Sequence, residues 1–430
     1  MCFLYMYPVD YVIVGAGISG LYCALRISKK SPDKTILVIE SDTECGGRIR
    51  TNYGKGFQVE KGAARFSETH SHLMNLIDEF GLSDEIVPIT RKTSFIFQNK
   101  RCQYNLDSKI REMVTRGKRL EKKMLQNINV FQLCTKLYDS EEAAKIQALF
   151  GYDSEFMRLN SFAAISMFGE DLFENHQYYV MKCGLSELVS RMVEQLSQKK
   201  IEIRLGCEVT DVNHRRVVYK KNAEQHRVNA MKVILSTPYL SLRKFGIFKG
   251  VPEIHSVKPI PLCRIYAKYP LVNGKPWFHG LEKTTTDNYL RYIIPINPDE
   301  GIIMYYSDLY KAHMWRNWSN VSDSILTEMI HKELNSLFPR MKIPKPTQVK
   351  CYHWRAGVHL WRPGYDYKKI SKQMLKPFSD KDIYVVGECY STLQDWIEGA
   401  LKSCDRCLKT IGEYETHQKK RTLRNTRVHK

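Results

Sequence analysis

A chain of 430 residues is too long for one ordinary domain, and its 43% hydrophobic content can bury a core large enough to exclude global disorder. Its 66 basic and 46 acidic side chains leave a formal charge of +20, which points to an anionic partner without bearing on the fold. Twelve scattered cysteines are too sparse for a disulfide scaffold.

The apolar start, Met1 to Val9, has no basic leader or cleavage signal, and no apolar run is long enough to span a membrane. An intracellular, soluble, cytoplasmic location with reduced thiols is expected. Tyr11–Val14 then reads as a buried parallel strand. Gly15, Gly17 and Gly20 form a G-x-G-x-x-G turn, followed by a predicted helix over Leu21–Lys30. Thr35–Ile39 is a second strand, and it ends at Glu40. In such a unit the glycines allow a tight turn, a close backbone approach to a pyrophosphate and close helix packing. The helix N-terminus offers free N–H groups to the phosphates. An acid at Glu40 accepts ribose hydroxyls and repels a 2′-phosphate, which favours FAD or NAD over NADP.

From Arg91 to Gln126 the chain is basic and helix-like, a solvated face. Strands at Ile201–Leu205, Val209–Val212, Val217–Tyr219 and Lys232–Leu235 predict a β-meander. Further strands are expected at Ile265–Tyr269, Tyr289–Ile294 and Ile302–Tyr306, and a helix over Val321–Leu337. Ile383–Glu388 reads as another buried strand and Ile397–Ile411 as a helix. Cys404 and Cys407 make a lone C-x-x-C without the second pair that zinc requires; both are placed on that helix, and no metal is expected. The tail, 416–430, is basic and expected to be disordered. With no linker or repeat, the fold class expected is α/β. A Rossmann-like domain of parallel sheet and β-meander (8–85, 178–245 and 376–415) interleaves with an α+β substrate domain (86–177 and 246–375).

After Glu40 the chain reads Gly46-Gly47-Arg48-Ile49-Arg50-Thr51, then Val59-Glu60-Lys61-Gly62-Ala63-Ala64-Arg65. Far downstream come Gly206-Cys207-Glu208-Val209 and Gly387-Glu388 with Trp396-Ile397-Glu398-Gly399-Ala400. Together these motifs resemble those of the flavin amine oxidase superfamily, from Asp10 to Ile411. The resemblance implies an FAD site in which Gly47 and Arg48 meet the diphosphate. It implies that Gly62, Ala64 and Arg65 pass close to the flavin. Val209 is implied at the adenine, Glu388 at the ribityl or diphosphate region, and the backbone at Ile397 near the flavin pyrimidine.

The family often holds a water against the flavin with a lysine. That position falls on Arg264, with Lys268 as competitor on the same strand face. Arginine is permanently protonated, which puts fast reaction with oxygen in question. Some relatives attach FAD to a cysteine; Val358 stands there, so non-covalent FAD is expected. Trp396 and His359 are the candidate rings about the substrate amine. The activity implied is oxidation of an amine to an imine by hydride transfer to flavin N5, with oxygen as acceptor and hydrogen peroxide as product. One alternative is a protoporphyrinogen-oxidase- or desaturase-like enzyme on a non-amine substrate. Another is an FAD-binding component with little turnover, docking a polyanion or nucleic acid through the tail and Arg91–Lys123.

Overall fold

The computed structural model describes residues 8–89, 92–171 and 176–413; the tail 416–430 and Arg91 fall outside it. Two sheets organise these residues. In the first, Glu202–Arg204, Ile36–Ile39, Val9–Val14, the end of Glu224–Leu235 and Ile383–Val385 are successive parallel neighbours. Their apolar runs are buried on both faces, as continuous β-branched sequence requires. Helices Ile18–Lys30 and Ile397–Ile411 pack against each other beside it. The expected meander is present: Glu208–Asn213 pairs antiparallel with Arg216–Lys221, which pairs antiparallel with the first half of Glu224–Leu235. That long strand therefore serves both halves of the sheet. The fold is the α/β, Rossmann-like arrangement read from the sequence.

The second sheet runs Gln348–Trp361, Val257–Lys268, Ile302–Asp308, Tyr292–Asn297, Lys283–Thr286, Thr93–Phe97 and Lys100–Cys102. One expectation changes here. The basic stretch after Arg91 is not helical throughout. It opens with a hairpin, Thr93–Phe97 and Lys100–Cys102, because residues 93–96 pair in parallel with Lys283–Thr286 at the sheet edge. Helices Leu106–Gly117 and Lys122–Asn127 follow. The helix expected over Val321–Leu337 is present as Asp323–Leu337, and a further helix, Leu309–Val321, precedes it. Ser322 separates them, and its hydroxyl accepts the Ile325 N–H as an N-cap. Cys404 and Cys407 are buried on Ile397–Ile411. No helix among the described residues is long and apolar enough to cross a membrane.

Candidate cofactor and active site

A cavity of about 630 Å³ lies between the first sheet and the second. Its inner wall is mostly backbone. Gly15 turns with φ +103°, a conformation that side chains resist. A Cβ on Gly20 would sit 1.9 Å from the Gly15 carbonyl oxygen, so only glycine lets the helix approach. Gly17 differs: a Cβ there meets nothing within 4 Å, and its backbone opens onto the cavity. Gly17 and Trp396 are the N-cap residues of Ile18–Lys30 and Ile397–Ile411, and neither helix has a side-chain cap. Two uncapped helix ends therefore face one space, which suits an anion. Glu40 accepts the Ala16 N–H at 2.7 Å through Oε2 and the Asp42 N–H at 2.8 Å through Oε1. Oε1 also accepts the Ser41 hydroxyl at 3.0 Å, and Oε2 keeps a lone pair for a ligand hydroxyl.

Glu388 is the electrostatic centre of the wall. It accepts from Arg48 Nη1 at 2.5 Å and pairs with His359 Nδ1 at 2.5 Å. Burial works against its charge, yet His359 and Arg48 hold the carboxyl down at about 2. Its Oε2 and the His359 Nε2 are buried without a protein partner. Arg48 Nη1 also donates to the Gly357 carbonyl at 2.9 Å. Its Nε and Nη2 have no protein partner among the described residues. Open backbone, helix ends and spare guanidinium donors fit a dinucleotide diphosphate, and the orphaned carboxylate oxygen fits a hydroxyl donor such as that of a ribityl chain.

The outer wall is made of side chains. Arg264 lines the cavity, with its guanidinium 5.1 Å from the Tyr306 ring and Nη1 3.4 Å from the Glu60 carbonyl oxygen. Tyr306 packs on Tyr152 and Tyr292. Arg65 donates to the Tyr152 hydroxyl at 3.2 Å and lies over the rings of Tyr178 and Trp396, at 5.6 and 5.7 Å. No carboxylate pairs with Arg65 among the described residues. Beneath these tyrosines, Asp153 binds Arg291 at 3.0 Å and Lys311 at 2.7 Å. Asp308 accepts both the Ser154 N–H and its hydroxyl. This buried ionic set fastens the helical segment to the second sheet.

Trp396 also meets the His70 ring edge-on at 4.8 Å, and burial lowers His70 to about 4. The next turn depends on Glu398, which sequence reasoning left without a role. Its fully buried carboxylate accepts the N–H groups of His72 and Leu73 and pairs with His72 Nδ1 at 2.8 Å. Bonds to Asp405 and Glu398 raise His72 to about 9. Thr51 and Glu60 were likewise unassigned. The Thr51 hydroxyl donates to Glu60 at 3.0 Å, and Glu60 also accepts the Leu185 N–H at 2.7 Å. The signal for all three was the motif itself, whose acids and threonine have partners elsewhere in the chain.

The cavity gathers Gly15, Gly17, Glu40, Gly47, Arg48, Gly62, Val209, Arg264, Glu388, Trp396 and Ile397 along its wall. Gly20 lies behind the glycine turn, and Ala64 and Arg65 just beyond the wall. Gly62 lies so close to Arg48 that a Cβ would be 1.9 Å from its carbonyl oxygen. His359 is placed differently from the ring expected beside the substrate. It has no exposed surface and stands behind Glu388 as its hydrogen-bond partner. Its imidazole shares Glu388 Oε1 with Arg48, which leaves Oε2 open. Lys268 does not reach the cavity wall; it pairs with Glu300 at 3.0 Å near the far end of its strand. Val358 lines the cavity and offers no sulfur to a flavin.

Fold and cavity together define an oxidoreductase of the dinucleotide-binding flavoprotein class. Residues 18–407 match the family described as flavin containing amine oxidoreductase, and the chain belongs to that family. FAD is the cofactor this membership implies. Similar proteins include L-amino acid oxidase bordonein-L of Crotalus durissus terrificus, 23% identical over 92% of this chain and 85% of that protein. An L-amino-acid oxidase of Crotalus adamanteus is 24% identical over 92% of this chain and 85% of its own. A crystal structure of a protein assigned as a protoporphyrinogen oxidase, from Exiguobacterium sp. 255-15, shares the fold. Its TM-score is 0.71 at 16% identity, covering 94% of this chain and 99% of that one.

Proposed function

We propose that the protein oxidises an amine bearing a carboxylate, an α-amino acid, to its imine, with oxygen as the final acceptor and hydrogen peroxide as product. The observation that carries this reading is Arg65: a half-buried guanidinium among aromatic rings, beside the cavity, with no acid paired to it among the described residues. Such a cation fits a carboxylate, which it can bind with two parallel hydrogen bonds. Bound FAD would supply the hydride acceptor. Trp396 and the tyrosines would exclude water, so that the substrate amine loses its proton before reaction. Arg48 and the helix end at Gly17 would hold the diphosphate, Glu388 a ribityl hydroxyl and the helix end at Ile397 the flavin pyrimidine, and Arg264 would face the reacting region as a fixed positive charge. The same reading assigns 8–85, 178–245 and 376–415 to the cofactor and 86–177 and 246–375 to the substrate.

The test is to add L-amino acids and simple amines to the FAD-loaded protein without oxygen. Amino acids are expected to bleach the flavin's visible absorbance, and unchanged absorbance with all of them would refute the reading. A second reading, dehydrogenation of a non-amine substrate, is supported by the position of Arg264 on the cavity wall, on the expectation that it takes the place of the family's lysine. Bleaching by a porphyrinogen or polyene, with none by amino acids, would select it. A polyanion is a separate proposed partner, supported by the exposed Arg111, Lys118, Arg119, Lys122 and Lys123. Its affinity should fall steeply with salt.

A further inference from the structure

On the far face of the strand that carries Arg264, two thiols meet. Cys263 lies on Val257–Lys268 and Cys351 on Gln348–Trp361, and their sulfurs are 3.4 Å apart. In the antiparallel register Cys263 faces His353 and Ile265 faces Cys351. The two cysteines are therefore diagonal neighbours on one face of the sheet, within reach of each other. Arg264 projects from the opposite face into the cavity. Helix Leu309–Val321 packs over both strands.

The thiols have unequal surroundings. Cys263 is wholly buried, whereas Cys351 keeps part of its surface exposed. The Cys263 thiol and the Ser319 hydroxyl hold Cys351 below its ordinary value, against its own burial and Asp323. Burial pushes Cys263 up. Cys351 is thus placed to meet a small solute, with Cys263 directly behind it. Cys23 and Cys404 make an instructive contrast: they are also neighbours, but both are wholly buried.

We infer that Cys263 and Cys351 form a peroxide-reactive dithiol site, in which oxidation begins at Cys351 and Cys263 resolves it to a disulfide. The Cys351 thiolate attacks one peroxide oxygen, the O–O bond breaks, and with one proton water leaves and a sulfenic acid remains. The Cys263 sulfur then attacks the Cys351 sulfur, the S–O bond breaks, and the Cys263 proton leaves with the hydroxyl as a second water. Two electrons pass from the thiols to one peroxide. A disulfide needs the sulfurs about 2.0 Å apart, a small approach from their present spacing. The bond would tie the strand bearing Arg264 to the strand bearing Trp354 and Val358, all three of which line the cavity.

The test uses the full-length, FAD-loaded, reduced protein, with hydrogen peroxide added as a reagent and no substrate. Peptide mapping under non-reducing conditions should show a link between Cys263 and Cys351, the loss of two alkylatable thiols, and reversal by dithiothreitol. In Cys263→Ser, dimedone should label Cys351 and no link should form; in Cys351→Ser, Cys263 should stay alkylatable. The inference is overturned if both thiols of the unaltered protein remain alkylatable while peroxide oxidises other cysteines. It is equally overturned if the Cys263→Ser protein gives no Cys351 adduct. Because the peroxide is supplied, the result does not depend on whether the protein oxidises an amino acid.

Discussion

The two walls of the cavity are built by different means. The inner wall is backbone: glycines without side chains, two helix ends and one carboxylate held between Arg48 and His359. The outer wall is side chains, Arg264, Tyr306 and Trp396 on separate elements, backed by Arg65, Tyr152 and Tyr178. A backbone wall accepts one shape of ligand and tolerates almost no substitution. A side-chain wall can be retuned one residue at a time. A shared cofactor with differing substrates is what this division allows.

The comparison can be broken at several points. The largest effect is expected from Asp153→Ala, which strips the buried partner from Arg291 and Lys311. Breaking such a set costs about 3–5 kcal/mol, measured by denaturant unfolding. If only the outer wall hangs on it, the folded fraction should keep its FAD and lose substrate affinity. Glu388 tests the inner wall through pH. Its carboxyl is ordinarily near 4.5 and is held at about 2 here, so it contributes stability above 4.5 that is lost as pH falls through 2. Glu388→Gln should flatten that acid limb of the melting temperature, and an unchanged limb would count against the pairing.

Gly20→Ala forces a methyl into the Gly15 carbonyl. A cost of about 1–3 kcal/mol is expected for such overpacking, with most of the FAD lost on purification while the aromatic wall stays folded by near-ultraviolet circular dichroism. Arg65→Ala removes a charge-assisted contact of about 1.5–3 kcal/mol. The apparent KM for amino acids should rise about 10- to 100-fold, and that for amines lacking a carboxylate should not. The smallest effect is expected from Arg264→Lys, a few-fold gain in the rate of oxygen consumption by the reduced protein.

The same division explains what could be read from the sequence. Gly15, Gly17, Gly20 and Glu40 lie within one strand–helix–strand unit, so spacing alone carries their meaning. Helix Ile397–Ile411 is apolar along one face and was placed end to end. The hairpin at Thr93–Cys102 was hidden because its pairing partner, Lys283–Thr286, is distant and its flanks are basic. The Arg65–Tyr152 and Asp153–Arg291 contacts depend on which helix folds over which strand, and no local pattern encodes that. His359 shows the limit most clearly. Its residue type fits either a substrate-facing ring or a buried donor, and only the position of Glu388 decides between them.

The long strand Glu224–Leu235 has a consequence for assembly. One edge of its second half receives Val9–Val14, and the other receives Ile383–Val385. The turn at Gly15 is therefore synthesised well before Glu388 and the helix beginning at Ile397. A nascent chain that has not yet reached Ile383 presents an unfinished sheet edge and half of the cavity wall. A dinucleotide held there would bridge segments far apart in the chain, acting as a noncovalent clasp on the sheet as well as a reagent.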